Sequence, residues 1–157
     1  MKQAQNKTRL IIHAIFVIAA IIMLVDFIAP GSIIEDEIVD VQTQRQNYYN
    51  AAQNYHYSYK VITKQHKFLV TDDFADAIKG EKKIQYSVSP IFQKVNWHKL
   101  PTDTNKSFYS LRIASGLVLP LLMIIAIFVV IRYKKKLGSV VLILQILMIG
   151  NLYLLLT

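Results

Sequence analysis

The stretch LIIHAIFVIAAIIMLVDFIA, residues 10–29, decides how this chain is read. As a helix rising ~1.5 Å per residue it is long enough to cross the ~30 Å hydrocarbon core of a bilayer. Two more runs of the same kind follow: LRIASGLVLPLLMIIAIFVVI at 111–131 and VVLILQILMIGNLYLLLT at 140–157. The expectation is an integral membrane protein with three transmembrane helices, and every other segment is placed by reference to them. A basic start and the small residues Ala29, Pro30 and Gly31 also suit a signal peptide. Leu10 to Val25 already exceeds the ~7 to 15 residue apolar region of such a leader, however, and Phe27 is bulky for a cleavage site ending at Ala29. The stretch is therefore read as an anchor.

The formal net charge of +8 would suggest nucleic-acid binding if it covered one soluble surface. It does not, because Gly31 to Tyr109 carries ten Lys/Arg against nine Asp/Glu. The excess lies in short flanks, at Lys2, Lys7 and Arg9 and again at Arg132, Lys134, Lys135 and Lys136. Positive short flanks stay cytoplasmic, whereas a segment beyond ~60 residues translocates largely regardless of its charge. The expected map is a cytoplasmic basic tail at 1–9, a first span at 10–29 and an extracytoplasmic domain at 31–109. A second span at 111–131, a basic cytoplasmic turn at 132–138 and a third span at 139–157 returning to the outer side complete it. A bacterial inner or plasma membrane suits this arrangement. The basic cluster can also meet anionic lipid head groups. There is no cysteine, which excludes disulfide staples, thiol chemistry and CxxCH haem attachment.

Between the first two spans lie 79 residues, Gly31 to Tyr109, enough for one small domain. Tyr55, Tyr57, Tyr59 and Val61 alternate with His56, Ser58, Lys60 and Ile62, and Ile84, Tyr86 and Val88 alternate with Gln85, Ser87 and Ser89. Pro90 breaks the second ladder. Ile91 to His98 resumes an extended pattern with Val95 and Trp97 on one side, and Phe68 to Val70 is a shorter strand candidate. Thr71 suits a helix cap, Asp72 and Asp73 suit the positive end of the helix, Phe74, Ala77 and Ile78 share a face, and Gly80 is a stop. Ile33 to Arg45 is ambiguous. Ser32 with Glu35 makes a capping box and Ile34, Ile38 and Val41 keep helical spacing, while the β-branched run places Val39, Val41 and Thr43 on one strand face. Taken as a strand, it gives three strands, a short helix and two strands. The fold class expected is α+β, a three-span membrane protein with a small extracytoplasmic β-barrel or roll of SH3-like or OB-like kind.

Candidate sites are few. The tyrosine row at 55, 57 and 59, with Tyr48 and Tyr49 nearby, reads either as a partner-recognition face or as the half-buried face of a sheet. His56, His66 and His98 share no metal-ligand spacing, and Asp72, Asp73 and Asp76 are explained by the helix terminus. No phosphate-binding loop, GxSxG or HExxH motif is present, so no catalytic, cofactor-binding or metal residues are assigned. Within the spans the polar residues Asp26, Arg112, Gln145 and Asn151 stand out because such groups are costly there, with His13 near enough to the cytoplasmic edge to be wetted. At ~1.5 Å per residue Asp26, Arg112 and Asn151 all reach the outer third of the bilayer. An Asp26–Arg112 pair with Asn151 bonded to one of them would satisfy all three; the rival is separate snorkelling to outer water. Pro120 removes the helical bond to the Gly116 carbonyl, which predicts a kink and a carbonyl in need of a partner.

The functional expectation is a non-catalytic membrane protein needing no cofactor. Its outward β domain binds or positions a partner protein in the membrane or periplasm, as an accessory subunit of a larger membrane assembly. The alternative is an oligomeric component for small-solute transport or sensing through Asp26, Arg112 and Asn151, since three helices alone make a poor conduit. Neither reading involves nucleic acid.

Overall fold

The computed structural model of the chain describes residues 2–47, 55–133 and 138–157, and within these the side chains of all but 2–6, 45–47 and 55–56. Lys134, Lys135, Lys136, Tyr48 and Tyr49 lie outside the described residues, as do the side chains of Lys2, Tyr55 and His56. The chain forms two compact units. A helical unit comprises Met1–Pro30, Pro90–Phe92 and Leu111–Thr157, and a β unit comprises Gly31–Ser89 and Gln93–Ser110.

The β unit contains β1 (Ser32–Asn47), β2 (Tyr55–Thr63), β3 (Lys67–Val70), helix α2 (Asp72–Ala77), β4 (Lys83–Val88) and β5 (Val95–Lys99). They form one antiparallel sheet in the order β3-β2-β1-β4-β5, curled into a half-barrel. The long β1 lies at the centre because one part pairs with β4 and the other with β2. Between them the register shifts at Ile38/Asp40. A bulge of one residue reverses the side-chain alternation of the strand. Ile34 and Ile38 pack inward before it and Val41 after it, while Val39 is 62% exposed. The sequence expectation that Val39, Val41 and Thr43 share a face is corrected by this bulge. The helical spacing of Ile34, Ile38 and Val41 is the trace it leaves in the sequence. Glu35 does not cap a helix; its carboxylate meets Lys83 Nζ across the β1–β4 ladder at 3.0 Å.

Val61, Phe68, Val70, Ile84, Tyr86 and Val88 build the core under α2, which buries Phe74 and Ala75 with Ile78 just beyond its end. Ala77 is exposed, so Ala75 takes the place expected for it, one residue from Phe74 in a helix of only six residues. Thr71 occupies the cap position without a side-chain cap bond. Gly80 ends the segment at φ 93°, a conformation that costs glycine little. In β5 the parity also differs from expectation. Asn96, His98 and Leu100 are buried and Trp97 is only half-buried although Val95 packs against the core, because the β4–β5 register shifts between Ser87, opposite Trp97, and Val88, opposite Val95, which leaves Asn96 as the extra residue of a bulge.

In the helical unit α1 is Lys2–Ile28, α3 is Ser110–Tyr133 and α4 is Gly138–Leu156. The described portion of α1, Lys7–Ile28, and both α3 and α4 are long and apolar enough to cross a membrane. Ala20, Met23, Met123, Ile127, Val141 and Met148 form their shared core. Between Ala114 and Val118 the α3 backbone widens into a π-turn. Gly116 sits in it against Phe27: a β-carbon there would lie 2.5 Å from the ring, so glycine lets α1 and α3 approach.

Candidate functional site

Asp26, in the last turn of α1, is completely buried at 0% exposure, and Arg112 in the first turn of α3 is 8% exposed. The Asp26 Oδ2 accepts from Arg112 Nη2 at 2.9 Å. Its Oδ1 accepts the backbone N–H groups of Ile91 at 2.8 Å and Phe92 at 3.0 Å. One carboxylate thus gathers donors from α3 and from the tip of the β4–β5 connection. Local sequence prepares that tip: Pro90 carries no N–H, and Gln93 adopts φ 55°. At its base Ser89 N–H donates to the Lys94 carbonyl at 2.8 Å and Ser89 Oγ accepts Lys94 N–H at 3.1 Å. The guanidinium also lies over the Phe27 ring, 5.5 Å from its centroid. A buried charge is tolerable when it is paired and its remaining lone pairs are satisfied, and both conditions hold for Asp26.

Asn151 does not join this pair. Its Nδ2 donates to the Ser115 carbonyl at 2.8 Å and lies 3.6 Å from Met23 Sδ. The reason is the π-turn. Leu119 N–H donates to Ala114 O in the five-residue spacing, so the next bond in that register would run from residue 120 to Ser115 O. Residue 120 is proline, which has no N–H. The freed carbonyl is therefore Ser115, one residue before the Gly116 expected for a regular helix, and the Asn151 amide fills it. His13, expected to be wetted, is buried at 8% exposure with Gln145 Nε2 3.5 Å from its Nδ1, at the outer limit of a hydrogen bond.

A second polar cluster, which the sequence reading missed, lies in the β unit. Asp36 Oδ1 accepts Glu37 N–H at 2.8 Å, and its Oδ2 accepts Gln65 N–H at 3.1 Å and the Tyr86 hydroxyl at 3.3 Å. With the phenol proton directed to Asp36, the Tyr86 oxygen accepts from His66 Nδ1 at 3.0 Å, and Thr63 Oγ1 lies 3.2 Å away. Burial alone would raise the Asp36 carboxyl, but hydrogen bonds from Thr63, the Glu37 and Gln65 backbone and Tyr86 hold it below the usual carboxylate range. Burial pushes the Tyr86 phenol up. The signal available was parity: Asp36 falls between Ile34 and Ile38 on the inward face.

His98 is 1% exposed and packed edge-on to Phe74, with ring centroids 4.3 Å apart. Its Nε2 has no hydrogen-bond partner among the described residues, and burial lowers its pKa to about 4. His66 is engaged at Tyr86, and among the described residues no group of three His, Asp or Glu could hold a metal ion. Asp76 pairs with Lys79 at 2.7 Å, and Asp72 and Asp73 are exposed in the first turn of α2. Of the tyrosine row, Tyr57 is exposed, and Tyr59 packs partly on the core and lines a shallow cavity of about 210 Å³ with Val41, Thr43, Ala75, Ile78 and Lys79. Lys7, Arg9 and Arg132 are exposed. Comparison of the chain with known protein families, with curated proteins and with solved structures finds no match.

Proposed function

We propose that the protein is a non-catalytic, three-span membrane protein whose small β domain faces the extracytoplasmic side and binds or positions a partner protein there, as an accessory subunit of a larger membrane assembly. Residues 1–9, which include the start of α1, and residues 132–138 are cytoplasmic in this reading, because the basic residues cluster there. The partly open five-stranded sheet with one short helix between β3 and β4 supports the OB-like form of the domain over the SH3-like one. The partner face is the β1–β2 surface carrying Tyr57 and Tyr59.

The observation that carries the reading is the saturation of Asp26. Both carboxylate oxygens are taken, by Arg112 and by two backbone N–H groups, in a site closed to solvent. A transport or sensing residue has to exchange partners with a solute or proton. A carboxylate that holds Ile91 and Phe92, both residues of the helical unit, is occupied by structure instead. The test is purification of the full chain in mild detergent followed by mass spectrometry. A different membrane or periplasmic protein should be recovered near stoichiometrically, and Tyr57→Ala with Tyr59→Ala should reduce that recovery about tenfold, as the loss of two aromatic contacts allows. Recovery of this chain alone, as an oligomer that passes solutes in vesicles, would replace the partner-binding reading with the transport reading.

A further inference from the structure

We infer that Trp97 and Lys106, with Phe108 and Tyr109, form an interfacial anchor that rests this edge of the β unit on the phospholipid head groups of the bilayer. The inference rests on the membrane-spanning reading of α3 and adds a specific lipid contact to it. Trp97 points away from the row of Asn96, His98 and Leu100 that enters the core, and it is half-buried rather than enclosed. The Lys106 ammonium lies 4.5 Å from its ring centroid. That pairing is fixed by the backbone, since Ser107 N–H donates to the His98 carbonyl at 2.8 Å and His98 N–H to the Ser107 carbonyl at 3.0 Å. Phe108 next along is 41% exposed, and Tyr109 directly precedes the first residue of α3.

Chain length limits where this strip can be. Lys106 precedes Ser110 by four residues, so at no more than ~3.6 Å per residue its backbone stays within ~14 Å of the start of α3. If α3 spans the membrane, its first turn marks the hydrocarbon boundary, and the head-group layer beyond is ~5 to 8 Å deep. An indole, a phenol and a phenylalanine ring beside a lysine are the side chains that layer favours: amphipathic rings sit at head-group level and a long cationic stem reaches the phosphates. Residues 93–110 also carry Lys94, Lys99 and Lys106 against Asp103 alone, a net charge of +2 that suits phosphate oxygens.

Trp97 is the single tryptophan of the chain, so its fluorescence reports this site alone. The full chain is reconstituted into phosphatidylcholine/phosphatidylglycerol vesicles whose acyl chains carry bromine either near the carbonyls or near the methyl ends. Flotation of the vesicles after a carbonate wash first tests whether the chain is integral. An anchored indole should lose about half its emission or more with shallow bromine and little with deep bromine, the pattern of a ring at head-group level. Lys106→Glu should weaken the shallow quenching. Chain that floats with Trp97 unquenched by shallow bromine, whether reached by aqueous acrylamide or shielded by protein, overturns the anchor and leaves the spans standing. Chain that fails to float removes the anchor and the membrane-spanning reading together.

Discussion

The Asp26 carboxylate meets the Arg112 guanidinium at 2.9 Å, and the same carboxylate takes the N–H groups of Ile91 and Phe92. The two charges stand 86 residues apart in sequence, near the end of one helix and the start of another. Between them they close the end of the helical unit around a three-residue piece of loop. Removing one partner of a buried pair leaves the other uncompensated, at a cost of about 3 to 5 kcal/mol. The pair is therefore weak evidence for net stability, although breaking it is costly.

Asp26→Leu should lower detergent melting stability by an amount in that range, and Asp26→Asn by less, because the amide oxygen can still accept both N–H groups and only the acceptor for Arg112 is lost. Arg112→Gln combined with Asp26→Asn should cost less than the sum of the single losses. The exchange of the two charges should recover little, because arginine at 26 offers no acceptor to Ile91 and Phe92. Full recovery on exchange would mean that the loop contacts carry no weight and that only charge pairing matters.

Tyr86 and Trp97 lie in neighbouring strands, yet only the first is enclosed. Tyr86→Phe strips a donor from Asp36 and an acceptor from His66 and should cost about 1 to 3 kcal/mol. Trp97→Ala should cost below about 1 kcal/mol in detergent, as expected for a ring outside the core. Melting followed by circular dichroism separates the two, and the reverse order would place the indole in the core.

The succession of three strands, a short helix and two strands was legible from alternation, whereas their order in the sheet was not; opposite charge at similar estimated depth made the Asp26–Arg112 pair one of two alternatives, beside separate snorkelling. The parts that were not legible share a physical cause. A bulge at Val39 and another at Asn96 each reverse a period of two, so Val39 and Trp97 carry core chemistry on an outward face. The donors from Ile91 and Phe92 are backbone groups, common to every residue except proline, and no letter of the sequence marks them. The widening of α3 by one residue per turn likewise moved the orphan carbonyl from Gly116 to Ser115, a shift visible only in the backbone.

His98 predicts a pH response. Its folded pKa of about 4 lies below the ordinary 6.5, so the fold favours the neutral ring. Stability is complete above pH 6.5 and is lost as the pH falls towards 4, by roughly 3 kcal/mol in all if the whole difference is realised. Asp36 acts in a lower window: its carboxyl is held below the ordinary 3.8, so its contribution is kept above that pH and lost beneath it. His98→Leu should flatten the melting temperature between pH 6.5 and 4 while leaving the fall below 3.8. Parallel curves for the two proteins would assign the upper transition to another group.

The proposed orientation predicts that reporters at residue 1 and within residues 132–138 lie in the cytoplasm. One inserted between Lys79 and Lys82, where a β-carbon on Gly80 would meet nothing within 4 Å, should lie outside. Neutralising Lys134, Lys135 and Lys136 should produce a mixed population, because they supply much of the orienting charge. Cleavage of the β unit by protease added from the cytoplasmic side would invert the assignment.

The amide of Asn151 and the ring of Pro120 are linked through one carbonyl, and that link is testable as a cycle. Ser115 O lacks a backbone donor because position 120 is proline, and Asn151 Nδ2 supplies the bond at 2.8 Å. Asn151→Leu should cost about 1 to 2 kcal/mol, the price of an unfilled carbonyl between packed helices. In Pro120→Ala the restored N–H can bond Ser115 O within the π-turn, or Gly116 O if α3 relaxes to a regular helix. Either way the asparagine is no longer required. Asn151→Leu on the Pro120→Ala background should then cost less than half its amount alone, a coupling that melting in detergent can resolve. Equal costs on both backgrounds would show that Asn151 acts through some other contact, such as its approach to Met23, and that the proline does not set its role.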